Sequence, residues 1–368
     1  RQMQRTIAGN QKSIEPRVLY VNMILQRGNE NDLNEAVRQM ARLREMAPND
    51  GRTVTLMAQL GGKTGKQQQV RTYLLGLLPK VTDPAKIDEK QLPMMEFVAP
   101  LLVSLGDLDN AEEIYRKIVA RDPNKTLALV DFLGTHRDVA LSMEMLESVY
   151  KPELTEPIGR VAIAVVRSRR DEVGEKYDKQ VQGWLDRGLL ENPDSIPLLM
   201  LLAEFADVEK NYDEAAEIYK KLLTRDDVTG ITRAIVLNNL AFLVALAGNE
   251  TEAGVDPLKL VQQAAQILGP TADILDTEAV VYIAREDYQK AIRDLENSLT
   301  DNPTAAKHFH KAVAHLGAGE NTAAIKAWDD AHKLHKDVRS TLNRMEFENY
   351  DHTKAKIEQI RSQSQSLT

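Results

Sequence analysis

Five of the seven histidines lie between residues 308 and 335, a density that could serve a metal site. They are His308, His310, His315, His332 and His335. Imidazoles that share one face of a helix can bind a transition metal together, and His308 and His315 are seven residues apart. However, these two fall at apolar packing positions of the helix pattern described below, and no carboxylate stands at a matching spacing. We therefore predict no metal site. A pH-sensitive interface is the alternative, because histidine titrates near neutral pH.

The run GGKT at 61–64 is the second candidate for chemistry, because glycine-rich loops can bind phosphate. A phosphate-binding loop requires a second glycine five residues before Gly62, and Met57 stands there instead. The run is therefore predicted to be a turn between helices. The patterns G-x-S-x-G, H-E-x-x-H and G-x-G-x-x-G do not occur, and cysteine is absent. These absences predict a protein that is not an enzyme, with no catalytic residue and no cofactor.

The composition predicts a folded chain and argues against two classes of partner, nucleic acids and membranes. Of the 368 residues, 43% are hydrophobic and 28% are charged, and the formal net charge is −8. Residues 1–90 carry more Lys and Arg than Asp and Glu, but these basic residues stand singly. The aromatic residues there are Tyr20 and Tyr73, which offer little for base stacking, so we predict no nucleic-acid binding. No run of 18 apolar residues occurs, which predicts no membrane insertion.

The candidate residues above must be held in place by secondary structure. The segment 92–125 shows the apolar spacing of two successive helices. Apolar residues of its first half are spaced by four and then three, at Met95, Ala99 and Leu102. Gly106 then breaks the pattern, because glycine accepts the left-handed backbone at helix ends. The second half has the same spacing at Ala111, Tyr115 and Ile118, and Pro123 ends it. We predict a helix hairpin whose helices cross closely at the small residue Ala111.

The same spacing recurs along the chain, in about nine units separated by 36 residues on average. The runs NAEEIYRKIVARDP, YDEAAEIYKKLLTRD and YQKAIRDLENSLTDNP carry it most clearly. These units resemble tetratricopeptide repeats, a family of helix-turn-helix units of about 34 residues. The match is strongest in 92–125, 196–227 and 272–336, and the last of these looks similar to the repeat arrays of large bacterial proteins. In the unit at 125–152 the expected packing positions hold Glu144 and Glu147.

The resemblance implies an all-α solenoid, a right-handed superhelix of stacked hairpins. Three segments follow: a partial leading helix at 1–16, a repeat array at 17–336 with weaker register in 125–195, and a capping helix with a polar tail at 337–368. Because the chain starts at Arg1 without an initiator Met, we expect it to be a portion of a longer protein.

Members of this family present a concave surface lined by the first helix of each unit, which implies a protein or peptide partner. In each first helix, the residue after a packing position would face that surface, which becomes apolar toward its C-terminal end. The candidate groove residues are Asn238, Phe242, Val280, Ile283, Phe309 and Val313. A partner could cover this strip, or the chain's own tail could fold back over it with Met345, Phe347 and Tyr350. The alternative function is an architectural spacer within a larger protein or assembly.

Overall fold

The computed structural model describes residues 6–7, 12–27, 30–81, 83–248 and 254–365. Within these ranges the regular structure is helical throughout and contains no β-strand. Most of the predicted leading segment 1–16, and the last three residues of the polar tail, lie outside the described residues. The chain divides into two compact units, Arg1–Val149 and Tyr150–Thr368. We call them unit 1 and unit 2.

Unit 1 consists of helices, and each helix packs against the one that follows it in the chain. They are α1 (Glu15–Arg27), α2 (Glu30–Met46), α3 (Gly51–Lys63), α4 (Gln67–Gly76), α5 (Leu92–Ser104), α6 (Leu108–Arg121), α7 (Thr126–His136) and α8 (Val139–Val149). Ala111 is fully buried where α5 and α6 pack together, as its spacing predicts. The GGKT run forms the end of α3 and the turn after it, without a preceding strand.

The packing register predicted for α8 is wrong by one residue. Glu144 and Glu147 are exposed, and the buried apolar positions are Val139, Met143 and Leu146. One residue rotates a side chain by about 100° around a helix, so the buried stripe moves from the carboxylates to the neighbouring apolar side chains. The helix hairpin forms here because the apolar spacing of four and three is present, one position earlier than predicted.

Unit 2 repeats the same hairpin. Its helices are α9 (Thr155–Ser168), α10 (Arg170–Val173), α11 (Asp178–Glu191), α12 (Ile196–Val208), α13 (Tyr212–Leu223), α14 (Gly230–Ala247), α15 (Pro257–Leu268), α16 (Ala272–Ala284), α17 (Tyr288–Asp301), α18 (Ala305–Gly317), α19 (Asn321–Leu334) and α20 (Phe347–Gln365). Ala215, Ala291 and Ala324, which stand at the same place in the spacing pattern as Ala111, are all fully buried. The predicted all-α array of helix-turn-helix units is therefore confirmed, whereas the number of repeats stays a prediction.

Two threonine caps fix where the later first helices begin. The Thr271 hydroxyl accepts a hydrogen bond from the Ile274 amide at 3.4 Å, and α16 starts at the next residue. The Thr304 hydroxyl accepts one from the Lys307 amide at 3.2 Å and starts α18 in the same way. Such caps satisfy amides that have no partner in the first turn of a helix. By fixing the first residue of α16 and of α18, these caps also fix which side chains lie on each face of the two helices.

Helix α14 is long and apolar enough to span a membrane by length and composition. In this structure it belongs to the core of unit 2, where it packs against α13, α15 and α16. Leu237, Leu240 and Ala241 are buried in that core. These protein contacts account for the apolar residues on the buried side of α14, whereas Ile231 and Ile235 near its start are exposed.

Residues 338–347, which we call the strap, connect the last hairpin to α20. The strap contains two 3-10 turns, Val338–Thr341 and Arg344–Glu346. After it, α20 packs against α18 and α19. The Tyr350 ring lies 5.1 Å from the Trp328 ring and 5.7 Å from the Phe309 ring, measured between centroids. The aromatic residues of the last hairpin are therefore covered by the chain's own C-terminal helix.

Candidate functional site

A cavity of about 540 Å³ opens in unit 2. One wall consists of residues from the first helix of successive hairpins, α9, α12, α14, α16 and α18, with Arg170 and Asp171 from the short helix α10 and Tyr219 from α13. The opposite wall is the strap, from Ser340 to Phe347. We call the surface that these first helices present the groove. It is the surface that the repeat pattern assigns to first helices, and the strap crosses it.

The middle of the groove combines an apolar ring with polar atoms that accept hydrogen bonds. Phe242 and Asn238 lie one turn apart on α14 and both line the cavity. The Asn238 Oδ1 atom is buried and has no hydrogen-bond partner among the residues that the structure describes. Beside it, the Asn239 amide nitrogen donates to the Tyr219 hydroxyl at 3.3 Å. Burial raises the pKa of Tyr219 to about 12, so this hydroxyl stays protonated at neutral pH.

The charged side chains of the cavity wall are mostly acidic. The carboxylates are Asp171, Glu204, Asp207, Asp273, Asp276 and Glu346, and the cations or potential cations are Arg167, Arg170, Arg344 and His310. Arg167 and Glu204 form an ion pair at 2.8 Å. Burial raises the pKa of Asp207, although the hydrogen bond from Asn343 opposes that shift. In the described part of the chain, six carboxylates thus face four cations or potential cations along the cavity wall.

His310 is buried between two carboxylates. Its Nδ1 atom lies 2.7 Å from Asp276 Oδ1 on α16, and its Nε2 atom lies 2.7 Å from Glu346 Oε1 in the strap. Burial alone would lower the pKa of His310, but these two carboxylates outweigh burial and raise it well above the usual value of 6.5. The protonated ring donates to both carboxylates. Sequence reasoning weighed carboxylates only against His308 and His315, so it missed these two contacts of His310.

The other histidines have separate surroundings. His332 Nδ1 lies 2.9 Å from the Trp328 carbonyl oxygen, and His332 Nε2 lies 3.3 Å from the Tyr350 hydroxyl. His315 Nδ1 lies 2.7 Å from Glu320 Oε2. His308 is partly buried, and burial lowers its pKa. Across the described part of the chain, no group of three or more His, Asp and Glu residues is arranged to hold a metal ion.

The six predicted groove residues divide between the cavity wall and the protein interior. Asn238 and Phe242 line the cavity. Val280 is buried against Ala245 and Val281, a cluster on which Phe242 also packs. Phe309 is fully buried among residues of α18, α19 and α20, and Val313 packs on the same cluster, whereas Ile283 packs beside Ala279 and Leu295. Phe309 and Val280 are thus covered by the chain itself.

The groove-facing positions of the repeat pattern include Asp207 and Asp276, but sequence reasoning missed their polar partners, namely His310, Asn343 and Glu346. The repeat length could have found one of these contacts. Asp276 and His310 are separated by 34 residues, and so are Asp273 and Lys307, which form an ion pair at 2.9 Å. Residues one repeat apart occupy equivalent places in adjacent hairpins, and such places are neighbours in a stacked array. The contacts of the strap carry no such signal.

Comparison with known protein families identifies the repeats. Residues 99–125 and residues 277–337 each match a family model described as a tetratricopeptide repeat. The chain contains tetratricopeptide repeats. The first match covers the crossing of α5 and α6, and the second runs through the hairpins α16–α17 and α18–α19. Arrays of such repeats are protein-interaction scaffolds that present extended concave surfaces, and this chain is such a scaffold.

Two solved structures with similar helix arrangements are distant in sequence. One is the APC/C hetero-tetramer Cut9-Hcn1, with 13% identity over 96% of this chain and 86% of that chain, at a TM-score of 0.39. The other is a tetratricopeptide repeat protein from Parabacteroides merdae, with 17% identity over 82% of this chain and 98% of that chain, also at a TM-score of 0.39. No curated protein matches the chain.

Proposed function

We propose that this repeat protein binds a peptide segment of a partner protein in the groove of unit 2 and catalyses no reaction. The observation that carries the proposal is the cavity of about 540 Å³ in which Phe242 stands beside the unpartnered Asn238 Oδ1 atom. A buried acceptor without a partner is costly, so a ligand that donates a hydrogen bond to it gains affinity. A backbone N–H of a bound peptide is such a donor.

The charges of the cavity wall define the partner further. Carboxylates outnumber cations there, so the peptide is proposed to carry at least one Lys or Arg side chain. Phe242 would contact an apolar side chain of the peptide. Of the remaining predicted groove residues, Val280 and Phe309 would support the wall from the interior, and Ile283 and Val313 would support it from its margin.

Selection from a random peptide library tests this proposal and does not require the partner to be identified first. Peptides of about twelve residues are selected for binding to the immobilised full chain. Individual selected peptides (the winners) are then labelled, and their affinity is measured by fluorescence anisotropy. We expect the winners to be enriched in Lys and Arg. We also expect Asn238→Ala and Phe242→Asp each to weaken their binding at least about tenfold, which corresponds to about 1.4 kcal/mol.

A matched control separates the groove from the rest of the surface. Leu190 is 83% exposed on α11, a second helix, and does not line the cavity, so Leu190→Asp adds the same charge elsewhere in unit 2. Circular dichroism confirms that each variant is folded. Asn238→Ala is the milder test, because the Oδ1 atom that it removes makes no hydrogen bond.

An architectural role is the competing function, in which the array sets the distance between other parts of a larger protein or assembly. It predicts that no peptide is enriched, or that enriched peptides bind the Asn238→Ala and Phe242→Asp variants as well as they bind the natural chain. Either result would remove the peptide-binding proposal and favour the architectural one.

A further inference from the structure

The strap already crosses the groove, and three of its side chains make polar contacts with the opposite wall of the cavity. The Asn343 side-chain amide donates to both oxygens of Asp207, at 2.9 and 3.1 Å, across 136 residues of sequence. Glu346 is 4% exposed and contacts His310 at 2.7 Å. Arg344 lies 3.5 Å from Asp171. The strap thus places a hydrogen-bond donor against an acceptor, a cation against a carboxylate and a carboxylate against a protonated histidine.

The strap holds these side chains in place through its own hydrogen bonds. Asn343 Oδ1 accepts from the Met345 amide at 2.9 Å, and Glu346 Oε2 accepts from the Asn343 amide at 3.0 Å. This reciprocal arrangement is a capping box, which fixes the turn at Arg344–Glu346. Met345 packs against the apolar cluster that α14 contributes to the core. A four-residue turn therefore presents an amide, a cation, an apolar side chain and a carboxylate in fixed order.

We infer that the groove recognises this short turn, and that the partner peptide carries an equivalent turn which takes the place of the strap. The inference rests on the function proposed above and specifies the ligand. The basic residue proposed for the partner corresponds to Arg344, and its amide and carboxylate correspond to Asn343 and Glu346. Residues flanking the partner's turn then reach Asn238 and Phe242.

Because the strap is part of the same chain, the groove is open in only a small fraction of the molecules. A segment on the same chain competes at a high effective concentration, so an external peptide binds with an affinity reduced by the fraction of molecules whose groove is open. Weakening the contacts of the strap should increase that fraction. The external peptide should then bind more tightly, although no group of the groove itself has changed.

The test uses the full chain and a synthetic peptide of residues 337–348, DVRSTLNRMEFE, carrying a fluorescent label. The double variant Asn343→Ala/Glu346→Gln removes the amide and the charge from the strap. We expect the peptide to bind this variant at least about tenfold more tightly than the natural chain, by anisotropy. A control peptide with the same two substitutions should bind neither protein. Adding Asp207→Asn to the double variant should weaken binding of the natural peptide again.

A second variant keeps the test decisive if the double variant does not fold. Arg344→Glu changes a partly exposed side chain and places a carboxylate beside Asp171, so it repels the strap without emptying the buried site around His310. It should also bind the natural peptide more tightly than the unaltered chain does. A folded variant that binds the natural peptide no better than the natural chain would overturn the inference.

The outcome distinguishes this inference from the function on which it rests. If library peptides bind in a manner sensitive to Asn238→Ala, and the strap peptide does not compete with them, the turn is not the recognised element and the peptide groove stands. If neither the strap peptide nor any library peptide binds, both proposals fail. Competition between the strap peptide and the library peptides supports both.

Discussion

His310 joins three parts of unit 2 through a single imidazole ring. It is carried on α18, and it contacts Asp276 on α16 and Glu346 in the strap at 2.7 Å each. Its pKa in the folded protein is raised well above 6.5. A group whose pKa is higher in the folded than in the unfolded state binds more protons when folded. Its contribution to stability is therefore complete below the unfolded pKa and is lost as the pH rises through the folded pKa.

The direction of this pKa shift predicts how the effect of a His310 substitution on stability changes with pH. We expect His310→Gln to lower the free energy of unfolding by about 3 kcal/mol at about pH 6, because it leaves two buried carboxylates without their cation. The deficit should shrink at a second, higher pH, because the natural ring loses its proton as the pH rises through its raised pKa. Urea denaturation of both proteins at the two pH values measures it. His352 is exposed on α20, and His352→Gln is the control. A deficit that does not change with pH would show that the charge of His310 does not contribute.

The contacts of His310 also show what a sequence predicts at the scale of residues. The contact with Asp276 follows from the repeat length, because residues 34 positions apart lie side by side in adjacent hairpins. The contact with Glu346 does not, because the strap lies outside the repeated pattern. The hydrogen bond from Asn343 to Asp207 spans 136 residues and has no local signal. The paired helices could thus be predicted, and the fold-back of the tail is one of the two predicted alternatives for covering the groove. The polar contacts that the strap makes could not be predicted.

At the scale of elements, small residues decide where two helices cross. Ala111, Ala215, Ala291 and Ala324 are each fully buried, and each stands at the same place in the spacing pattern. This regularity makes the hairpins predictable. The face that a helix presents is harder to predict, since a shift of one residue in the register rotates the side chains by about 100° around the helix axis. The spacing predicts Phe309 for the groove, yet Phe309 lies in the core and the next residue, His310, lines the cavity. Packing of α20 against α18 determines which side is covered.

The crossing on α17 can be tested directly. We expect Ala291→Arg to lower the free energy of unfolding by at least about 2–3 kcal/mol, because a long side chain overpacks the crossing and a charge is buried. Ala111→Arg should have a similar effect in unit 1. Asn297 is an exposed residue of the same helix, and Asn297→Arg should change stability by no more than about 0.5 kcal/mol. Thermal and urea unfolding followed by circular dichroism give both values. Equal stability of the Ala291 and Asn297 variants would refute the register assigned to this hairpin.

At the scale of the whole molecule, the binding function should reside in unit 2. Every residue that lines the cavity belongs to Tyr150–Thr368. The apolar clusters of α12 to α20 are likewise formed within that unit. In a repeat array, stability is approximately a sum over each unit and its interfaces with its neighbours, so a long portion can fold without the rest.

We therefore expect the fragment Tyr150–Thr368 to fold cooperatively and to bind the library-selected peptides within about threefold of the affinity of the full chain. Circular dichroism during thermal unfolding reports the folding, and anisotropy reports the affinity. The same fragment carrying Phe242→Asp is the control and should lose binding. A folded fragment that binds no peptide, when the full chain does, would place part of the recognition surface in unit 1. The groove between the first helices of unit 2 and the strap would then be only part of the binding site.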